Sequence, residues 1–178
     1  AGLPPGVLNL VFGTPSEISD HLIKQDQVRL VAFTGSTAVG RHLTMLASQY
    51  MTPVLMELGG HAPVIVCEDT DVQAAALTGA VRKMRNAGQV CTSPTRFFVH
   101  ENIFDEYTET FVRRAAQTVV GNGVESGVEM GPLANHRRIE ALTALVDDAR
   151  EQGAEVRTGG SKLDRTGYFC LLYTSPSP

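Results

Sequence analysis

The chain has 178 residues, 43% hydrophobic and 19% charged, a balance that fits a folded globular protein and excludes a disordered or fibrous one. Its net charge of −4 gives no basic footprint for nucleic acid or an anionic membrane surface. No apolar run approaches the roughly 20 residues that span a bilayer, and no secretory signal is visible.

Residues 7–12, VLNLVF, form a short apolar run that suits a buried strand closed by Gly13. Thr14, Pro15 and Glu17 carry the signature of a capped helix start, with Ile18, Leu22 and Ile23 on its apolar side. VRLVAFT, residues 28–34, is rich in β-branched and aromatic residues and predicts a strand. It runs into GSTAVG, residues 35–40, and then a helix with Val39, Leu43, Leu46 and Ala47 at helical spacing. PVLMEL, residues 53–58, and APVIVC, residues 62–67, predict two more strands around Gly59 and Gly60. Thr70 and Gln73 make a capping box for a helix reaching about residue 86, which leads into NAGQVC. RFFVH, residues 96–100, returns to strand. Asn102 then caps a helix with Ile103, Phe104, Tyr107, Phe111 and Ala115 on its apolar side. After the glycine-rich GNGVESGVEMGP a last helix begins near Asn135. Its face is Ile139, Leu142, Leu145, Val146 and Ala149, and Gly153 stops it. AEVRT is the final strand. Strands alternating with helices predict an α/β fold with a largely parallel sheet.

Three places could carry chemistry. GSTAVG follows a strand and opens a helix, so free backbone N–H groups and the helix dipole favour an anion there. Its spacing is neither GxGxxG nor a P-loop, and glycines that merely let strand and helix pack closely are the competing reading. Glu57 ends an apolar strand. A carboxylate there is either ion-paired for structural reasons or a general base poised by its surroundings. Cys91 lies in NAGQVCTSPTR, residues 86–96, among small and polar residues. It is either an accessible nucleophile or a small buried side chain; Arg96 is the nearest cation in sequence. Cys67, inside an apolar strand, is expected to be buried and without a role. The three cysteines are odd in number and far apart, forming neither a disulfide framework nor a zinc pattern, so a reducing, cytoplasmic compartment is expected. The five histidines show no metal-ligand spacing, and no metal is expected.

Taken together, GVLNLVFG, FTGSTAVG, MELGGHAPVIV, RNAGQVCTSPTRFFVH, MGPLAN and GYF resemble the aldehyde dehydrogenase superfamily over about residues 2–169. The 34-residue separation of Glu57 and Cys91 suits that family's spacing of base and nucleophile. The resemblance implies a modified Rossmann cofactor domain over residues 1–58 and the start of an α/β catalytic domain over 59–169, both incomplete. It implies that Cys91 attacks the aldehyde carbonyl and that Glu57 activates the water that hydrolyses the resulting thioester. It implies that Gly35, Ser36, Thr37, Ala38, Val39, Gly40 and Leu58 contact the cofactor, NAD by default with NADP the alternative. It also implies a small aldehyde as substrate and a homo-dimeric or homo-tetrameric parent. The closest subgroup is the semialdehyde dehydrogenases, the succinate-semialdehyde type among them.

The family's oxyanion Asn and cofactor-ribose residues are not in this sequence, so the isolated chain is expected to be inactive. CLLYTSPSP, residues 170–178, does not resemble the family's continuation and is expected to be non-native, Cys170 with it. Two rivals compete. A catalytically silent family member acting as a binding or structural protein has no obvious need for Cys91, Glu57 and the glycine turn together. A cysteine hydrolase working without cofactor would want a His partner for Cys91 and no phosphate turn.

Overall fold

A computed structural model of the chain describes residues 2–163 in full and the backbone of 169–170 and 173–175. The chain forms two units, Ala1–Gly59 and Gly60–Pro178.

In the first unit, helix α1 covers Pro15–Ile23, started by the fixed φ of Pro15 at its first turn. The expected capping box does not form. The Thr14 side chain makes no capping bond, and its carbonyl accepts from the Ile18 N–H at 3.1 Å instead. Strand β1, Val31–Gly35, leads into helix α2, Thr37–Ser48, and then strand β2, Val54–Leu58. The two strands are parallel, Val31 opposite Val54 and Gly35 opposite Leu58. Burial alternates along both strands, so Val31, Phe33, Val54 and Met56 face one way and pack with Leu43 and Ala47 of α2 and Ile23 of α1.

Two expectations fail in this unit. VLNLVF is not a strand: a strand persists only where a neighbour takes its backbone hydrogen bonds, and among the described residues none lies beside it. Its apolar side chains are open to solvent, Leu8 and Leu10 each 79% exposed. Val39 does not face the core. The buried stripe of α2 runs through Gly40, Leu43 and Ala47, one position round the helix, because Gly40 is the residue small enough to sit against Leu58.

The second unit opens with a parallel pair, β3, Ala62–Val66, and β4, Pro94–Val99, joined through helix α3, Val72–Met84. Helix α4, Phe104–Ala116, packs on α3, and the two helices cover the face that carries Val64, Val66, Phe97 and Val99. Tyr107 and Phe111 are fully buried there. The Phe97 and Phe111 rings meet edge to face, centroids 5.2 Å apart at 71°. Burying each such ring contributes roughly 1.5–3 kcal/mol, so this aromatic cluster dominates the core. The expected apolar side of α4 is thus its core side.

Helix α5, His136–Glu151, starts as expected at Asn135, whose Oδ1 accepts from the Arg138 N–H at 3.1 Å. It buries Ile139 and Val146, while Leu145 is turned to solvent. The other caps differ from expectation. Asp71, not Thr70, caps α3, its Oδ1 accepting from the Ala74 N–H at 3.0 Å. Gln73 is free of capping and bonds Glu106 and Thr110 on α4. Asn102 lies in a short 3-10 turn ahead of α4 and donates to Glu68 rather than capping the helix. Cys67 follows the end of β3 and is exposed, because the strand stops at Val66.

Four short strands complete the unit. β5, Glu155–Thr158, pairs antiparallel with β8, Tyr173–Ser175, and β6, Ser161–Lys162, pairs antiparallel with β7, Phe169–Cys170. Among the described residues the largely parallel sheet is therefore realised as two separate parallel pairs beside two antiparallel ones. The expected non-native tail, residues 170–178, falls for the most part outside the described residues. Among the described residues no helix is long and apolar enough to cross a membrane.

Candidate active site

The β1–α2–β2 unit brings the glycine turn and Glu57 to one edge. Parallel strands end together, and here Thr34 stands opposite Glu57 and Gly35 opposite Leu58. In parallel α/β units the carboxyl edge of the strands is where ligands bind. Ser36 is the N-cap of α2, with extended φ −74° and ψ 148°. Its Oγ accepts from the Val39 N–H at 3.3 Å, and its carbonyl accepts from the Gly40 N–H at 2.9 Å. Those two bonds leave the Thr37 and Ala38 N–H groups uncommitted among the described residues, with the Ser36 hydroxyl proton beside them. Ser36, Thr37, Ala38 and Val39 are all exposed. An exposed helix start with two free donors suits a phosphate group.

The two glycines of that turn also have a packing role. A Cβ on Gly35 would stand 2.4 Å from the Phe33 ring, and one on Gly40 would stand 2.6 Å from Leu58 Cδ2. Gly40 and the half-buried Leu58 therefore seat the start of α2 against the end of β2, behind the exposed residues 36–39. The turn therefore carries the close packing of the competing reading together with exposed backbone donors.

Glu57 points away from α2 and is exposed. Among the described residues no cation pairs with it, so it is not held as a structural ion pair.

Cys91 belongs to the second unit and is exposed. Its position is set by an unusual exit from α3. After Met84 the chain turns left-handed through Asn86 (φ 50°, ψ 37°) and Ala87 (φ 53°, ψ 35°), and Gly88 continues with φ 71°. Asn tolerates that region, but Ala87 is strained by roughly 1–2 kcal/mol. Only one other non-glycine residue, Met51, has positive φ among the described residues. Such strain persists where neighbours over-determine the backbone, and it gathers at functional sites.

The neighbours are identifiable. The Gln89 N–H and its Nε2 both donate to the Asn86 carbonyl, at 3.0 and 3.1 Å. Asn86 Nδ2 donates back to the Gln89 carbonyl at 3.1 Å. Beyond this clamp a turn closed by the Ser93 N–H on the Val90 carbonyl, 2.9 Å, presents Cys91 and Thr92. Pro94 then starts β4, so Cys91 lies at the amino edge of the second parallel pair. Close by along that edge, His61 Nδ1 and Thr95 Oγ1 are 3.1 Å apart. Ser93 is 5% exposed and its hydroxyl has no hydrogen-bond partner among the described residues.

The candidates thus divide between the units. Gly35 to Gly40, Glu57 and Leu58 share the carboxyl edge of the first, and Cys91 stands on a clamped loop in the second. The clamp by Asn86 and Gln89 was not among the sequence expectations. Its only trace in the sequence is Asn and Gly, the two residues most tolerant of positive φ, on either side of Ala87.

The profile of the aldehyde dehydrogenase family matches residues 1–171. A putative 4-(hydroxymethyl)benzenesulfonate dehydrogenase from Comamonas testosteroni is 43% identical over 167 residues, covering 94% of this chain and 35% of that protein. The solved succinate-semialdehyde dehydrogenase from Burkholderia pseudomallei superposes with a TM-score of 0.92 at 38% identity, covering 98% of this chain and 36% of the other. An aldehyde dehydrogenase mutant from Pseudomonas syringae, solved in complex with NAD+ and octanal, superposes with a TM-score of 0.90 at 29% identity, covering 99% and 37%. The chain thus spans about a third of the length of these relatives.

Proposed function

The chain belongs to the aldehyde dehydrogenase family, and from that premise we propose that the full-length protein oxidises an aldehyde to its carboxylic acid with NAD(P). On this reading residues 1–58 complete the cofactor domain and residues 59–169 begin the catalytic one. The observation that carries it is the pairing of an exposed cysteine on a clamped, strained loop with a family match that runs through both Glu57 and Cys91.

Cys91 is the nucleophile. Its thiolate sulfur bonds to the carbonyl carbon while the carbonyl π pair moves to oxygen. Fixed donors hold that oxyanion, and the Cys91 backbone N–H, which makes no hydrogen bond among the described residues, is one of them. NAD(P), once bound, would supply the two-electron acceptor for the hydride that leaves the former carbonyl carbon as the oxyanion re-forms its double bond, leaving a thioester on Cys91. Glu57 then takes a proton from water, the water oxygen bonds to the acyl carbon, the carbon–sulfur bond breaks, and the Cys91 thiolate is regenerated.

The cofactor's phosphates fit the first unit. The Thr37 and Ala38 N–H groups and the Ser36 hydroxyl are exposed donors at a helix start, with Gly35 and Val39 beside them. Gly40 and Leu58 hold that turn in place. These residues grip phosphate, which NAD and NADP share, and the reading covers either. The isolated 178-residue chain is inactive on this reading, since it spans about a third of its relatives.

The substrate reading is a semialdehyde of the succinate type, supported by the Burkholderia likeness. An aromatic aldehyde is the competing substrate, since the Comamonas relative is named as a putative dehydrogenase of a hydroxymethyl-substituted benzenesulfonate. A comparison of kcat/KM for succinate semialdehyde and a sulfonated benzaldehyde decides between them. For the mechanism, Cys91→Ser in the full-length protein is expected to abolish turnover while leaving NAD binding intact. Glu57→Gln is expected to retain a single burst of NADH and lose steady-state turnover. Unchanged turnover in Cys91→Ser removes Cys91 from the mechanism; absence of NAD(P)-dependent turnover in the wild-type full-length protein would favour a silent or cofactor-free role.

A further inference from the structure

We propose that Gln89 is the positioning residue of the Cys91 loop, a strut that fixes the nucleophile against the segment leading into α5. The proposal rests on the reading of Cys91 as nucleophile.

Gln89 uses each polar group of its side chain. Nε2 donates inward to the Asn86 carbonyl and locks the left-handed turn. Oε1 accepts outward from the Ala134 N–H at 3.0 Å, 45 residues away in the chain. The far end of that strut is anchored. Leu133, the residue before Ala134, is 6% exposed within the main core cluster, and Asn135, the residue after, caps α5. Met130, 2% exposed, fixes the same segment to Val120 through an isolated bridge. Gln89, two residues before the thiol, is therefore tied at one end to the strained turn at Asn86 and Ala87 and at the other to buried core.

A loop in this state has an alternative. Without the strut the turn at Ala87 relaxes towards ordinary φ, and the residues after it shift with it. A displacement of an ångström at a nucleophile costs a large factor in rate without a comparable loss in binding. That predicts a signature distinct from a fold defect, because turnover per intact site falls while substrate affinity and melting temperature hold.

The test uses two near-isosteric variants of the full-length enzyme. Gln89→Met keeps the volume and loses every side-chain bond; Gln89→Glu keeps an acceptor for the Ala134 N–H and loses the donor to the Asn86 carbonyl. Steady-state kinetics are normalised to iodoacetamide labelling of Cys91 read from its own peptide by mass spectrometry, since Cys67 is also exposed, and hydrogen exchange is followed at the Ala134 amide. In Gln89→Met the expected result is a fall in kcat per titrated thiol of about tenfold or more, KM changing by less than about threefold, and faster Ala134 exchange. Gln89→Glu should keep Ala134 exchange slow yet lose kcat per titrated thiol, because its carboxylate has no proton to give the Asn86 carbonyl. A kcat per titrated thiol within about twofold of wild type in Gln89→Met overturns the proposal. So does a kcat within about twofold of wild type in Gln89→Glu. Should Gln89→Met not fold, Gln89→Glu decides alone, lost kcat with slow Ala134 exchange supporting the strut and retained kcat overturning it. Failure of the nucleophile reading is separately visible as an active Cys91→Ser.

Discussion

Gly79 shows how a single missing methyl shapes this core. It sits on α3 where the helix faces α4, and a Cβ there would stand 2.6 Å from the Tyr107 hydroxyl and 3.1 Å from the Phe97 ring. Alanine is the better helix former by about 1 kcal/mol. Overpacking costs about 1–3 kcal/mol, and two of the three aromatic rings of the cluster would have to move. The strain wins, so Gly79→Ala is expected to lower the melting temperature, read by circular dichroism; a rise would show that the helices can part. The glycine is plain in the sequence, yet its role is not, because nothing within α3 reveals that Tyr107 and Phe97 converge on it. Cys91 is the opposite case. Its family motif makes it legible at once, while the strain at Ala87 and the Gln89 clamp arise from contacts with Asn86 and Ala134 that no local pattern encodes. Cys67 misleads for a related reason, since an apolar run does not say at which residue its ladder ends.

Among the elements, helices were legible in existence and less so in their ends. Glu68, Asp69, Thr70 and Asp71 are four polar residues in a row, and several of them are competent caps. Only the backbone decides that Asp71 immediately precedes the first helical residue. The segment between α4 and α5 carries its own electrostatics. Glu129 accepts the Val119 N–H at 3.1 Å and pairs with Arg114 on α4. The Val119 bond first, then Arg114, hold its carboxyl below the usual glutamate range. A carboxylate with a lowered folded-state pKa stabilises above its unfolded value and loses that contribution as pH falls through the folded one. Stability should therefore decline on acidification from about pH 4.5 downward, an effect kept small by the 41% exposure of Glu129. Glu129→Gln should flatten that limb of a melting-temperature profile between about pH 5 and pH 3. An unchanged slope would assign the acid sensitivity elsewhere.

For the whole molecule, the two parallel pairs share one design, helices over one face and solvent over the other. Parallel strands are ordinarily buried on both faces. Here Leu55 on the first pair and Ile65 and Phe98 on the second stand 55%, 77% and 55% exposed, and Phe12 reaches 86%. Exposed apolar surface of this extent attracts apolar partners, so the isolated chain is expected to bind anilinonaphthalene sulfonate while folded. No fluorescence rise would mean that those faces are covered in solution. The β–α–β alternation was legible from composition and periodicity; the division into separate pairs was not, since pairing depends on which strands become neighbours. One detail of the first pair bears on how such a chain can change over evolutionary time. Thr34 and Glu57 share a rung, and side chains alternate faces along each strand. A slip of one rung would turn Glu57 beneath α2 and put Met56 outside in its place. Insertions or deletions in the connection over residues 49–53 are therefore tolerated only when the loop absorbs them without moving the strand. Odd shifts are forbidden by a buried carboxylate, which makes the exposed acid at the carboxyl edge of this unit also the guardian of its register.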